Sequence, residues 1–243
     1  MQLKQKNISM EDNKQNIKKE KNRHNPKGLT IIYEDRDIIV VDKINGLLTI
    51  GSDREREKTA YFLLSDYVKK GNQKSRNRIF IVHRLDRETS GLLVFAKSEK
   101  VKFFLQEQWQ NFTKKYVAVV EGILPDKEGE ISSYLTENSI HRVYSVSNPT
   151  MGKFSKTGYK VIKESRGFSL LDVDLFTGRK NQIRVHFSEK GFPVAGDKVY
   201  GNKKTAVKRL ALHSKTITLV HPFTKKTMTF DSETPQYFNQ LVK

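Results

Sequence analysis

From residue 29 onward the apolar residues come in short runs, LTIIY, DIIVV, IFIV, LLVFA, YVAVV and, late in the chain, LALHSKTITLV. Runs this short and rich in Val, Ile and Leu, each closed by charged or Gly-containing segments, have the length of strands in a sheet. They fall far short of the roughly 18–20 apolar residues that span a bilayer. LTIIY and DIIVVDK, separated by Glu34-Asp35-Arg36, read as a hairpin. Leu171, Val173 and Leu175 alternate with Asp172 and Asp174, a strand with one wet face. Helices are expected between the strands. Ala60, Leu63, Leu64, Tyr67 and Val68 fall at helical spacing before Gly71. Val101, Phe104, Leu105, Trp109 and Phe112 form an apolar stripe that Ser98 can cap, and its aromatic residues read as core. Ile183 and Phe187 share a face that Gly191 and Pro193 terminate. Asp126–Glu130 and Asn148–Gly152 read as turns. With no internal repeat or Pro/Gly linker, residues 29–243 are expected to form one α+β domain rich in antiparallel strands.

The chain carries a net charge of +18. Residues 1–28 supply +5 of it and are nearly free of large apolar side chains, so they read as a disordered basic tail. The remaining +13 makes the folded part basic in its own right, which favours a polyanionic partner. There is no cysteine, which excludes disulfides and thiolate chemistry, and the six histidines show no close-spaced ligand pattern. No metal is expected. The N-terminus lacks the apolar core of a secretory signal, so a cytoplasmic location is the expectation.

Residues 83–91 read His83-Arg84-Leu85-Asp86-Arg87-Glu88-Thr89-Ser90-Gly91 and lie between Ile79–Val82 and Leu92–Ala96. A carboxylate is thereby fixed in a polar turn between two strand-like runs, with Arg84 and Arg87 beside it. Taken alone, such a turn is most often a salt-bridged surface feature. A carboxylate that works as a nucleophile or a base must be ionised. Burial beneath a flat ligand opposes ionisation and a nearby cation favours it. A site built on Asp86 therefore calls for an arginine from elsewhere in the chain.

HRLDRETSGLLVFAKS resembles the active-site motif of the RluA-type pseudouridine synthases, which isomerise uridine in RNA. The resemblance covers nearly all of 29–243, because IIYEDRDIIVVDKINGLLT, RLALHS, LVHPFT and TPQYF also look like family segments. It implies a pseudouridine-synthase-like catalytic domain, a mixed and mostly antiparallel sheet flanked by helices and loops. GRKNQIRVHF is similar to the third motif, whose arginine, here Arg184, pairs with the catalytic aspartate, here Asp86. KKYVAVVEG is similar to the family's Lys-x-Tyr-x-Ala-x-Val-x-Gly segment. That makes Tyr116 the flat face and hydroxyl beside a flipped uracil, with Ile183 as the apolar floor on its other side. Arg84 would enter the space the flipped nucleotide leaves. Arg87 and the basic stretch from Lys69 to Arg78 are assigned to phosphates.

The same resemblance implies an rRNA or tRNA partner, and because the implied reaction involves no redox or group transfer, no cofactor is expected. The 28-residue tail is too short and too polar for the S4-type domain of some relatives, which places the chain with single-domain members, and nothing in the sequence demands more than a monomer. Two departures stand out. The usual Lys-Pro is Lys43-Ile44, which predicts a less rigid loop, and the frequent Thr-His before Gln-Ile-Arg is Lys180-Asn181. Charge alone supports a non-catalytic RNA-binding protein or chaperone equally well, and an aspartate-dependent hydrolase is the third alternative.

Overall fold

The computed structural model describes residues 25–51, 53–202 and 205–243. The tail read from residues 1–28 lies outside them apart from its last four residues. Those four join the fold: the Asn25 side chain accepts from the Ile31 N–H at 3.1 Å, and Pro26 accepts from Leu29.

An eleven-stranded mixed sheet organises the chain. Strands β1 (Leu29–Glu34) and β2 (Ile38–Lys43) form the expected hairpin. Its turn is closed by Asp35 Oδ1, which accepts from the N–H groups of Asp37 and Ile38 at 2.8 Å each. Next to β2 runs β4 (Ser90–Ala96), then β10 (Leu212–Val220), β5 (Thr113–Glu121), β9 (Phe168–Leu175), β8 (Lys153–Ser165), β6 (Glu128–Glu137) and β7 (Val143–Val146). Short strands β3 (Phe80–Ile81) and β11 (Thr227–Asp231) pair with β4 and β10. Among the described residues only β4 and β10 are parallel.

Helices cover both faces of the central strands, which explains the unbroken apolar runs seen in the sequence. Ile39 and Val41 of β2, with Leu93 and Phe95 of β4, pack beneath helices α1 (Ala60–Lys69) and α3 (Gln182–Glu189). Ile38 and Val40, with Leu92 and Val94, face helix α2 (Glu99–Gln108) through Val101 and Leu105. Helix α4 (Gln236–Leu241) places Phe238 against Val117 and Val119 of β5. Each such fully buried aliphatic side chain contributes about 1.5–3 kcal/mol. Thr59 and Ser98 cap α1 and α2 with their side-chain oxygens.

Two expectations need correction. The segment 126–130 is not all turn, because β6 begins at Glu128 and pairs with β8 as far as Lys160. The α2 stripe also ends early. The helix stops at Gln108, Trp109–Asn111 form a 3-10 turn, and Phe112 packs in the core beyond it. Lys114 Nζ donates to the Trp109 carbonyl at 2.7 Å, satisfying a terminal carbonyl and fixing that stop. Among the described residues no helix is long and apolar enough to cross a membrane.

Candidate active site

The polar turn between β3 and β4 is held from below. Thr49 Oγ1 accepts from the Leu85 N–H at 3.1 Å and donates to the Leu85 carbonyl at 2.8 Å. Lys43, fully buried, donates its ammonium to the carbonyls of Leu47 (2.7 Å), Ile44 (3.0 Å) and Arg87 (3.3 Å). The Arg87 carbonyl also accepts from Gly46 N–H, and Asn45 donates to Glu88. With no proline at position 44, buried hydrogen bonds tie this loop to the turn. Burial lowers Lys43 to about 8, and Asp86, Glu88 and Asp42 oppose that fall. On the far side of the turn Gly91 has φ +107°, and a Cβ there would lie 2.2 Å from the Ser214 carbonyl oxygen. The parallel β4–β10 contact is possible only with glycine at this position.

Above the turn opens a cavity of about 480 Å³. Its walls bring together Asp86, Tyr116, Ile183 and Arg184, which lie as much as 98 residues apart in sequence. Asp86 keeps about a third of its side chain exposed and accepts from Arg184 Nη1 at 3.2 Å. Tyr116 comes from β5, and Ile183 and Arg184 from the first turn of α3. Burial pushes the Tyr116 phenol up to about 12, with the Asp86 carboxylate adding to the rise, so the hydroxyl keeps its proton at neutral pH. Leu85, Leu175 and Leu212 supply further apolar wall. Arg84 lines the cavity, exposed, and makes no hydrogen bond or ion pair among the described residues.

Arg87 is not brought into this cavity. Its side chain turns outward and pairs with Glu55 on the surface, because its carbonyl is held inward by the Lys43 loop. Trp109 packs against the α2 core with Phe112, as expected, and it also reaches the site. It is half-buried, stacks on His83 with ring centres 4.2 Å apart, and forms part of the cavity wall.

The residue that sequence reasoning missed is Asp197. Its side chain is wholly buried and receives Arg184 Nε at 2.7 Å and Nη2 at 2.8 Å, a bidentate pair. Val199 and Tyr200 N–H groups donate to the same carboxylate at 2.9 Å each. Against the burial that would raise it, Arg184 holds the Asp197 carboxyl below its ordinary range. Two of the five guanidinium donors are thus fixed by Asp197, which aims Nη1 at Asp86 and at Asn181 Oδ1 (3.0 Å). Asn181 has φ +54° and donates to the Tyr200 hydroxyl, whose ring lies 5.1 Å from the guanidinium. The sequence signal was the pair of glycines flanking GDKVYG. At Gly196 a Cβ would lie 2.3 Å from the Arg209 carbonyl, so the backbone is forced inward beside Asp197.

Three groups close enough to share a cation, Asp35, Asp37 and His221, lie at the β1–β2 turn and do not line the cavity. Asp35 already accepts from two backbone N–H groups, from Tyr33 and from His221, which makes it a turn-closing residue.

The class of protein is then defined. A carboxylate about one-third exposed, steadied by a buried arginine–aspartate pair, faces a cavity with aromatic and aliphatic walls. The slot sits on a mixed sheet in a strongly basic chain. Residues 37–189 match the family model described as RNA pseudouridylate synthase. Ribosomal large subunit pseudouridine synthase D of Zymomonas mobilis is 32% identical over 229 residues, covering 88% of this chain and 72% of the relative. The protein of that name from Nitrosomonas europaea is 36% identical, covering 88% and 64%. Among solved structures, human RNA Pseudouridylate Synthase Domain Containing 4 superposes with a TM-score of 0.71 at 21% identity, over 86% of this chain and 90% of that one. That last likeness speaks to the fold. The chain belongs to the RluA-type RNA pseudouridylate synthases, isomerases that convert uridine to pseudouridine in RNA.

Proposed function

We propose that this chain isomerises specific uridines of structured RNA, rRNA or tRNA, as a cytoplasmic monomer that needs no cofactor. The observation that carries the proposal is the Asp86–Arg184 contact at the floor of a cavity walled by Tyr116 and Ile183. The target nucleotide leaves its stack, at a cost of a few kcal/mol, and its uracil enters the slot. Arg84, free at the mouth, fills the gap left in the RNA. Its planar cation stacks on bases and pairs with phosphate. Tyr116 and Ile183 hold the ring faces, while the Tyr116 hydroxyl stays a hydrogen-bond donor.

Asp86 initiates cleavage of the bond between uracil N1 and ribose C1′. The detached uracil is retained and rotated, and a bond forms between C5 and C1′. The proton on C5 leaves and N1 gains one, so the net change is an isomerisation with no oxidant or group donor. A base seated against Leu85, Leu175 and Leu212 has apolar wall around it in place of the water that would otherwise release free uracil. Arg184 supplies a fixed positive charge, and Asp197 keeps that charge from rotating away.

The test is to incubate the purified protein with uridine-labelled rRNA and tRNA transcripts and to digest them to nucleosides. Pseudouridine from the wild type, and none from Asp86→Asn at unchanged RNA affinity, is expected. Unchanged RNA across the panel sinks the proposal, and free uracil marks a hydrolase instead. Affinity should also fall steeply with salt, since phosphate contacts dominate it.

A further inference from the structure

Beside the catalytic cavity lies a second one of about 620 Å³, and Gly178, Arg179 and Lys180 form a wall common to both. Its other walls come from β6, β7 and the turn at 149–152 that leads into β8. Apolar, cationic and other polar groups line it, with the Glu137 carboxylate and the Thr136 and Thr150 side chains among the last. Leu135 and Val143 form its buried apolar base, and Met151, 63% exposed, offers the accessible apolar surface. Lys153 and Arg179 offer cations with no carboxylate partner among the described residues. The third cation, Lys180, is held by Glu137 at 2.6 Å and the His141 carbonyl at 3.2 Å, so Glu137's charge is already paired.

A uridine seated over Asp86 is covalently tied to a nucleotide on each side, and the second cavity lies just across the common wall from it. We infer that the second cavity is a nucleotide subsite, taking the nucleotide adjacent to the isomerised uridine in the same strand. The volume lies within the range of small-ligand sites. Apolar surface suits the faces of a base, which stack without regard to sequence. Lys153 and Arg179 suit the phosphates on either side of it. The inference rests on the uridine-isomerising role and extends it to how the RNA strand is threaded.

Thr150 is exposed, lines only the second cavity, and holds its turn through its backbone N–H and hydroxyl on Asn148. Thr150→Trp therefore fills the subsite without touching the catalytic walls, and Lys153→Ala removes a phosphate contact without adding bulk. On an rRNA or tRNA transcript that the wild type modifies, both variants should lower kcat/KM about tenfold through KM, with thermal melting unchanged. Independently, Asp86→Asn protein irradiated with 4-thiouridine-substituted transcript should cross-link within residues 136–153. Wild-type kcat/KM in both variants, with no cross-link in that segment, overturns the subsite and leaves the isomerase reading intact. If the wild type forms no pseudouridine on any transcript, both fall together.

Discussion

Mild acid should loosen the helix that carries Arg184, and His186 is the group through which it acts. His186 is 1% exposed on α3, two residues beyond Arg184. Its Nδ1 lies 2.9 Å from Thr157 Oγ1 on β8 and its Nε2 3.0 Å from Ser133 Oγ on β6. Gln182 Nε2 donates to the Thr157 hydroxyl, leaving that hydroxyl's own proton for Nδ1. The ring is thus pinned as a neutral imidazole between the catalytic helix and two strands. Burial pushes it down to about 4 from an ordinary 6.5. Between those values the unfolded chain binds a proton that the folded one refuses, so the stability held above pH 6.5 is lost as pH falls towards 4. At about 1.4 kcal/mol per unit, the fall to pH 5 costs about 2 kcal/mol from His186 alone.

Urea denaturation at pH 7.5 and pH 5, on the wild type and on His186→Gln, isolates that share. His83 and His213, both also lowered mainly by burial, contribute to the two proteins alike. The wild type should lose about 2 kcal/mol more than the variant, or about 0.7 M in urea midpoint at an m-value near 3 kcal/mol/M. The two proteins losing the same amount within about 0.5 kcal/mol refutes the assignment of His186 as the pin.

Asp197→Ala leaves a buried guanidinium without its bidentate partner and should cost about 3–5 kcal/mol in urea denaturation, with pseudouridine formation falling sharply. Gly91→Ala sets a methyl against the Ser214 backbone at a positive φ, so thermal unfolding should show a loss of about 2–5 kcal/mol. Arg84→Ala should depress kcat on RNA at least tenfold, whereas Arg87→Ala, which breaks only an exposed pair with Glu55, should change stability by less than about 1 kcal/mol and activity by less than twofold. Equal effects of the two arginine variants would show that the outward placement of Arg87 does not govern its role.

The buried half of the molecule was legible from residues alone. The runs at 38–41 and 92–96 are apolar without interruption because helices cover both faces of β2 and β4, and such strands announce themselves in any sequence. The cap at Ser98 and the stops at Gly71 and Gly191 act within one turn of chain, so local chemistry suffices to find one helix's start and the ends of the other two. The polar half was not legible. Strands β6 and β7 and much of β8 show solvent-exposed positions mixed with buried ones and carry Glu, Lys, Ser and Thr, and their pairing is chosen by neighbours distant in sequence. For the same reason the second cavity, built from these strands, has no signature in the sequence.

The sequence by itself determined the chemistry available: one carboxylate in a turn of fixed length, an arginine on a short helix, a strand tyrosine, and a charge suited to RNA. Tertiary structure alone decided how they are aimed. Arg84 and Arg87 lie three residues apart in the same turn, yet Arg84 lines the cavity and Arg87 faces Glu55, because Lys43 and Gly46 hold the Arg87 carbonyl inward. Asp197 shows the same division. Gly196 and Gly201 mark a tight loop around it, but they do not say that Asp197 anchors Arg184, since the contact joins that loop to a helix thirteen residues earlier and depends on two backbone N–H groups converging on a buried carboxylate. Residue type sets what a group can do, and the backbone around it sets what it faces.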